Sequence, residues 1–193
     1  MADAIDDETE RSLAERIRQL EDREQIRELV ATYCLVVDSR DTDSLAECFC
    51  EDGSMASRDG AMNAVGRDAV MAQFHQRFAV LGPSFHYTHD HAIWFDGENS
   101  NRAFGLANSH AEVVRSGKPM IAAIRYEDEY RREGGRWRFY LRLLSFFYYL
   151  SPVDYPAALP TPLRNRAYNA PIRADFPEAS PTYSAYYQKY IRR

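Results

Sequence analysis

Three of the five histidines in the chain crowd into seven residues, Phe85-His86-Tyr87-Thr88-His89-Asp90-His91. The aromatic and β-branched residues around them indicate a strand, in which successive side chains point to opposite faces. His86 then shares a face with Thr88 and Asp90, whereas His89 and His91 share the other. An imidazole beside a carboxylate can act as a general base near neutral pH, because the carboxylate fixes its tautomer and stabilises its cation.

Asp38 is one of the titratable groups that an architecture of helices on a curved sheet could bring together with these histidines. It directly follows a stripe of apolar residues at helical spacing, namely Ile26, Leu29, Val30, Tyr33 and Val37. Its side chain should therefore lie at the rim of the surface that the stripe covers. Most carboxylates at a helix end are simply exposed, but a carboxylate near a helix C-terminus is electrostatically unfavourable, which mildly favours a specific role for Asp38.

A fourth histidine, His110, lies in the next predicted strand and shares a face with Phe104, Leu106 and Asn108. A histidine with such neighbours can be a pocket residue or an ordinary core residue. The aromatic residues of the second half would suit a flat, hydrophobic, ring-containing substrate, though they would equally suit a plain core. The side chains predicted to bind such a substrate are Asn108, Phe104, Tyr126, Trp94 and Phe147.

Motifs for other chemistries are missing from the sequence. It has no glycine-rich nucleotide loop, no G-x-S-x-G and no H-E-x-x-H, and no cofactor is implied. His89 and His91 form an H-x-H that could point two imidazoles at one metal ion, but no third ligand is identifiable. Metal binding is therefore a minor alternative, and the three cysteines, Cys34, Cys48 and Cys50, are interpreted as buried thiols.

The elements that must position these residues are helices first and strands afterwards. Capping patterns at Ser12 and Asp22 predict two successive helices, followed by a short helix over 43–49, a turn at 51–53 and a helix over 66–78. Four antiparallel strands are predicted near 85–96, 102–116, 119–132 and 136–150. This order predicts an α+β fold with helices on one face of a curved sheet.

Length and charge place further bounds on the protein. Its 193 residues suit a single domain, predicted to span 11–150, with a flexible N-terminus over 1–10 and a Pro- and Tyr-rich C-terminal extension over 151–193. Tyr183, Tyr186, Tyr187 and Tyr190 in that extension would suit a short helix at an interface.

The net charge of −5 and the lack of a basic stripe argue against nucleic acid as a partner. No apolar run is long enough to cross a bilayer, and a cytoplasmic protein without a membrane partner is expected.

The chain resembles the SnoaL-like branch of the NTF2-like superfamily. The resemblance spans roughly residues 15–148 and rests on segments in the expected order, namely 26–33, 38–41, 48–53, 66–70, the His86 strand, 125–130 and 135–138. It implies a cone in which a curved antiparallel sheet wraps around an apolar pocket and N-terminal helices close it. Within the superfamily, the chain most resembles the scytalone dehydratase, bile acid 7α-dehydratase and hexachlorocyclohexane dehydrochlorinase subfamilies. This resemblance implies catalytic roles for Asp38, His86, Tyr33 and His110. Val37, Ser57, Ile124 and Tyr126 depart from the scytalone dehydratase pattern, which implies a different substrate.

The function expected from the residues and the resemblance together is that of a cofactor-free lyase of dehydratase type, with His86 as base and Asp38 as its orienting group. C–C cleavage of retro-aldol type, isomerisation or cyclisation would need the same base. The substrate would be a small aromatic, steroid-like or polyketide-like ring compound. The alternative is a non-catalytic ligand-binding or oligomer-supporting subunit, such as a dioxygenase β subunit. A homo-oligomer is expected in either case, a trimer or alternatively a dimer, because an exposed convex sheet would leave an apolar patch.

Overall fold

The computed structural model describes residues 13–168 and 170–191. Its helices are α1 (Leu13–Ser39), α2 (Thr42–Glu47), α3 (Arg67–Phe78), α4 (Tyr155–Ala158) and α5 (Pro181–Tyr190). Its strands are β1 (Phe49–Ser57), β2 (Asn63–Val65), β3 (Leu81–Phe95), β4 (Arg102–Arg115), β5 (Lys118–Glu133) and β6 (Arg136–Leu150). The predicted α+β class is therefore confirmed. No helix in the described ranges is long and apolar enough to cross a membrane.

The first long element is one helix, α1, and not the two that the capping patterns predicted. Asp22 lies inside this helix with only 5% of its surface exposed. Its carboxylate accepts a hydrogen bond from the Trp137 indole nitrogen at 3.1 Å and another from Arg132. The capping pattern predicted a helix start wrongly, because the Asp22 carboxylate accepts hydrogen bonds from side chains of the sheet and does not cap the backbone N–H groups of a helix. The other predicted cap, Ser12, lies outside the described residues.

The sheet has six strands in the order β2-β1-β6-β5-β4-β3. The four long strands were predicted within a few residues, but β1 and β2 were missed. β1 runs parallel to β6, and the predicted turn at 51–53 is an irregularity inside β1 where the register shifts. Gly53 fits there because a Cβ atom would lie 2.8 Å from the Phe139 carbonyl oxygen.

One face of the sheet, called the inner face here, packs against α1 and α3. The apolar stripe of α1 is buried against it, together with aromatic residues of β1, β5 and β6. On β4 the buried side chains are the odd-numbered ones from Ala103 to Val113, so the even-numbered ones lie on the outer face. Bulges in β3 and β6 change this alternation, and they determine which polar side chains reach the interior.

The C-terminal extension folds back on the domain that precedes it. Phe147 packs edge-on against Phe176, and the Phe146 backbone N–H donates to the Asp175 carboxylate at 2.7 Å. Arg164 binds the Phe147 carbonyl oxygen at 2.7 Å and both carboxylate oxygens of Glu178 at 2.6–2.7 Å. The predicted tyrosine-rich helix is α5, which has no buried residue.

Candidate active site

Asp38 and His86 form a hydrogen-bonded pair where the end of α1 meets β3. The Nδ1 atom of His86 lies 2.6 Å from Oδ1 of Asp38, and the backbone N–H of His86 donates to Oδ2 at 2.7 Å. The Ser84 hydroxyl donates to Oδ1 at 2.8 Å. A carboxylate at Nδ1 keeps the proton on that nitrogen, so the lone pair of the neutral imidazole is on Nε2. The pair thus has the arrangement of a general base with its orienting group.

Arg40 fixes the relative position of the two elements that carry this pair. It adopts φ = 62° just after the last residue of α1, which ends the helix and turns the chain. Its guanidinium donates to the Gly82 carbonyl oxygen at 2.6 Å and to the Ser84 hydroxyl at 3.0 Å. It also lies over the Phe78 ring at 4.3 Å. These contacts join α1, α3 and β3, and they hold Asp38 against His86.

Hydrogen bonds keep the Asp38 carboxylate ionised despite its partial burial. Burial alone would raise its pKa, but hydrogen bonds from the His86 side chain and backbone and from Ser84 outweigh burial, so the pKa of Asp38 falls below its usual value. An ionised Asp38 stabilises the imidazolium that forms when His86 accepts a proton.

A buried arginine, Arg142, lies on the same inner face and was not identified from the sequence. It is 0% exposed, and its guanidinium sits 3.7 Å from the Tyr126 ring centre, 4.1 Å from that of Tyr33 and 4.3 Å from that of Phe139. None of its three side-chain nitrogens has a hydrogen-bond partner among the described residues. Its positive charge and free donors suit an anionic group of a bound molecule.

Asp128, Tyr130 and His91 form a hydrogen-bonded chain behind Arg142. Oδ1 of Asp128 lies 3.5 Å from Nε of Arg142, and Oδ2 accepts from the Tyr130 hydroxyl at 2.9 Å. Nε2 of His91 lies 3.1 Å from that hydroxyl oxygen. Burial raises the pKa of Asp128 to about 6, although the Arg142 charge opposes the shift. Burial lowers the pKa of His91 to about 4, so His91 is neutral at physiological pH.

The two tyrosines among the predicted site residues, Tyr33 and Tyr126, lie on the inner side beside Arg142. Their rings pack edge-on with centres 6.3 Å apart. Burial raises the pKa of both phenols, so each hydroxyl keeps its proton at physiological pH. The charges of Arg142 and Asp38 both affect the pKa of the Cys34 thiol, which burial raises. The sulfur atom of this thiol lies 3.3 Å from the Thr88 hydroxyl oxygen.

The structure does not bring His110 to this site, so its predicted convergence with Asp38 is wrong. In the β3–β4 pairing, Ala111 is opposite His86 while His110 is opposite Tyr87, which places His110 on the outer face. There its Nδ1 lies 2.7 Å from Nε2 of His89. A one-residue difference in strand register reverses the face of every side chain, and the sequence did not fix that register.

Four of the five predicted substrate-binding residues also lie away from the site. Phe104 stacks on the half-exposed Trp94, and Asn108 accepts a hydrogen bond from Arg125 on the outer face. Phe147 packs on the C-terminal extension. Tyr126 alone of these five faces the interior.

His91 lies on the inner face, contrary to the prediction. A bulge between Thr88 and His91 inserts one residue and reverses the alternation, so His89 and His91 project to opposite faces. They cannot share one metal ion as the H-x-H alternative requires. Among residues 13–168 and 170–191, no group of three or more His, Cys, Asp or Glu side chains could hold a metal ion.

Comparisons with known proteins agree with this architecture. The profile of the SnoaL-like domain matches residues 18–142. An NTF2-like protein with a cystatin-like fold from Novosphingobium aromaticivorans is 31% identical, with a TM-score of 0.56 over 74% of this chain and 91% of that one. No curated protein sequence matches the chain.

Two further solved structures are similar in fold. A type 2 hexachlorocyclohexane dehydrochlorinase has a TM-score of 0.65 at 18% identity, over 70% of this chain and 92% of that one. A protein provisionally described as a scytalone dehydratase, from N. aromaticivorans, has a TM-score of 0.64 at 20% identity, over 70% and 91%. The segment that follows β6 lies outside the matched domain profile.

Proposed function

Because the chain belongs to the SnoaL-like domain family, we propose that it is a cofactor-independent lyase or isomerase that uses His86 as a general base. The observation that carries the proposal is the 2.6 Å contact between His86 Nδ1 and Asp38 Oδ1. The substrate would be a small hydrophobic ring compound, aromatic, steroid-like or polyketide-like. Solved structures of similar fold include a dehydrochlorinase, whose name states an elimination, and the provisionally described dehydratase.

In an elimination, Nε2 of His86 accepts the proton from a substrate carbon. The C–H electron pair becomes the new C=C bond, and the leaving group departs with its own bonding pair. Asp38 stabilises the imidazolium formed in this step, which lowers the barrier because the carboxylate is already positioned and ionised.

Arg142 suits the negative charge that such a reaction develops. A charge on a departing group, or on an enolate oxygen, would find unpaired N–H donors in a site enclosed by aromatic rings, where electrostatic interactions are strong. The protonated Tyr33 phenol beside it can donate a hydrogen bond to the same group. The same groups would serve dehydration, retro-aldol C–C cleavage, isomerisation or cyclisation, so the leaving group distinguishes these reactions.

One observation favours the non-catalytic alternative. The outer face of β3 and β4 exposes four large apolar side chains, Phe85, Tyr87, Trp94 and Leu106. Such a patch would suit a subunit that supports an oligomer. A homo-oligomer, trimeric or dimeric, is compatible with either function because the patch lies on the face opposite to Asp38 and His86.

The test is turnover by His86→Ala and a matched control. His89→Ala removes an exposed histidine from the same strand but from the opposite face. Hydroxylated and halogenated aromatic, steroid-like and polyketide-like compounds are screened for elimination by absorbance of the new double bond. His86→Ala should lower kcat at least about 10²-fold, the usual contribution of a positioned base, while His89→Ala should match the wild type. Chelators should leave the activity unchanged. A His86→Ala variant with wild-type kcat would refute the proposal.

A further inference from the structure

Four basic residues converge on Tyr168 at one end of the sheet. Arg115 ends β4, Lys118 begins β5, Arg77 lies in the last turn of α3, and Arg166 lies in the C-terminal extension. All four line clefts that also include Tyr168. The chain as a whole has more acidic than basic residues, 29 against 24, so a local cluster of four basic residues contrasts with its overall charge.

Most of this positive charge is unpaired. Across residues 13–168 and 170–191, no carboxylate oxygen lies within 4.0 Å of the side-chain nitrogens of Arg77, Arg115 or Lys118. Arg166 lies 3.6 Å from Asp154, but its buried Nε atom has no hydrogen-bond partner among the same residues. Exposed cations without partners are ordinary, whereas several around one cleft create a local positive potential.

Asp59 is the acidic residue that contacts Tyr168, and its hydrogen bonds are already used. It accepts from the Tyr168 hydroxyl at 2.8 Å, from Asn165 at 3.3 Å and from Ser57 at 2.5 Å. These bonds hold the extension across the end of the sheet. Asp59 and Asp154, the partner of Arg166, are two carboxylates and do not balance the four cations.

The cleft also has an apolar wall. The cleft at Arg77, about 200 Å³, is lined by Arg77 and Arg115 together with Met62, Phe146 and Tyr149. A neighbouring cleft of about 450 Å³, which shares Arg115 and Tyr168 with it, is also lined by Lys118, Arg166 and Met120. Arg77 donates to the thioether sulfur of Met62, a weak acceptor that a ligand oxygen could replace.

The cleft lies along the inner face from Asp38 and His86. Arg115 is four residues beyond Ala111, which pairs with His86, so the two positions are about 13 Å apart along the strand. A ring skeleton that carries an acidic group can span a distance of this order.

We propose that Arg77 and Arg115 form a subsite for a terminal oxyanion of the substrate, a carboxylate or a phosphate, whose apolar skeleton extends towards His86. The inference rests on the proposed function and specifies its substrate class as a hydrophobic ring compound with an acidic group. Lys118 and Arg166 add to the potential that attracts the anion. Tyr168 covers the bound group from the side of the extension.

Binding of matched probes tests the subsite without requiring turnover. The probes are 2-naphthoate, its uncharged analogue 2-naphthamide, and 2-naphthyl phosphate, each measured by isothermal titration calorimetry at low salt. We expect 2-naphthoate to bind about 10-fold or more tightly than 2-naphthamide, as expected for hydrogen bonds to a charged group. The preference should shrink in high salt, because screening weakens partly exposed charges.

Arg77→Gln and Arg115→Gln should each reduce the preference for the anion several-fold, and the double variant should abolish it. Arg136→Gln, which removes an exposed arginine at the opposite end of the sheet, should leave it unchanged. The better binder of the two anions identifies the substrate group as carboxylate or phosphate. Equal binding of 2-naphthoate and 2-naphthamide, or an anion preference that survives the double variant, would overturn the subsite. His86→Ala should retain the preference, so failure of the subsite and failure of the catalytic proposal are distinguishable.

Discussion

Replacing Asp38 with asparagine tests whether this carboxylate holds His86 in the tautomer that a base requires. In the wild type, the Asp38 oxygens accept hydrogen bonds from the His86 Nδ1–H, the His86 backbone N–H and the Ser84 hydroxyl. Asparagine has only one side-chain oxygen. If this oxygen accepts from the backbone N–H, the amide NH₂ faces Nδ1, so Nδ1 becomes the acceptor and the proton moves to Nε2. The variant would then lack the Nε2 lone pair that the proposed general base requires.

Two magnitudes follow from these contacts. Loss of a charge-assisted hydrogen bond costs about 1.5–3 kcal/mol, so Asp38→Asn should lower the free energy of unfolding by that amount at neutral pH. Loss of the orienting carboxylate should lower kcat by about 10²–10⁴-fold. Ser84→Ala is the control, because it removes the hydroxyl's hydrogen bonds to the Asp38 carboxylate and from the Arg40 guanidinium, costs about 1.5–3 kcal/mol and leaves the tautomer unchanged.

The pH dependence of stability gives an independent check with a definite sign. The pKa of Asp38 is lowered in the folded protein, so its contribution is present above the unfolded value and is lost as pH falls through the folded value. The stability difference between wild type and Asp38→Asn should therefore shrink as the pH falls below about 4.

Urea unfolding gives the free energies of unfolding, and ¹⁵N NMR of the imidazole gives the tautomer. The reasoning would be refuted if the His86 imidazole of Asp38→Asn kept its proton on Nδ1 while kcat fell. It would also be refuted if the stability difference persisted at low pH.

The other predictions concern the buried arginine, the inner face and the outer face. Asp128→Asn leaves the buried charge of Arg142 without its carboxylate and should lower the free energy of unfolding by about 3–5 kcal/mol, measured with urea; a loss below about 1 kcal/mol would contradict the ion pair. Gly105→Ala places a Cβ atom 2.9 Å from the Tyr130 ring and hydroxyl and should cost about 1–3 kcal/mol through overpacking; an unchanged Tm in calorimetry would show that the ring can move freely. Trp94→Glu puts a charge in the exposed outer patch and should dissociate the proposed homo-oligomer in light scattering; a wild type that is already monomeric would remove that proposal.

The sequence predicted the elements better than it predicted which face each residue occupies. The long strands alternate clearly and are separated by turn residues, so their number and approximate bounds were predictable. β1 was missed because Glu51-Asp52-Gly53 is typical of a turn, although in the structure it is a local irregularity inside a strand paired with β6.

Bulges explain most errors at the candidate site. Asp38 and His86 were predicted correctly as a pair, because the resemblance to the SnoaL-like family assigned one position at the end of a helix stripe and the other in the following strand. His91 and Arg142 were not assigned to the interior, since each follows a bulge that reverses the alternation. An arginine within an amphipathic strand is normally expected to face solvent, and no sequence pattern showed that Arg142 is enclosed by aromatic rings.

The contact between Asp38 and the His86 backbone has a consequence for aggregation. β3 is an edge strand, and a free N–H on such an edge can pair with a strand of another molecule. The Asp38 carboxylate occupies the outward N–H of His86 and places a negative charge against that edge. Asp38 therefore also protects this edge against pairing with a strand of another molecule. Replacement of Asp38 by an apolar side chain would free this N–H and open the middle of the edge to intermolecular pairing.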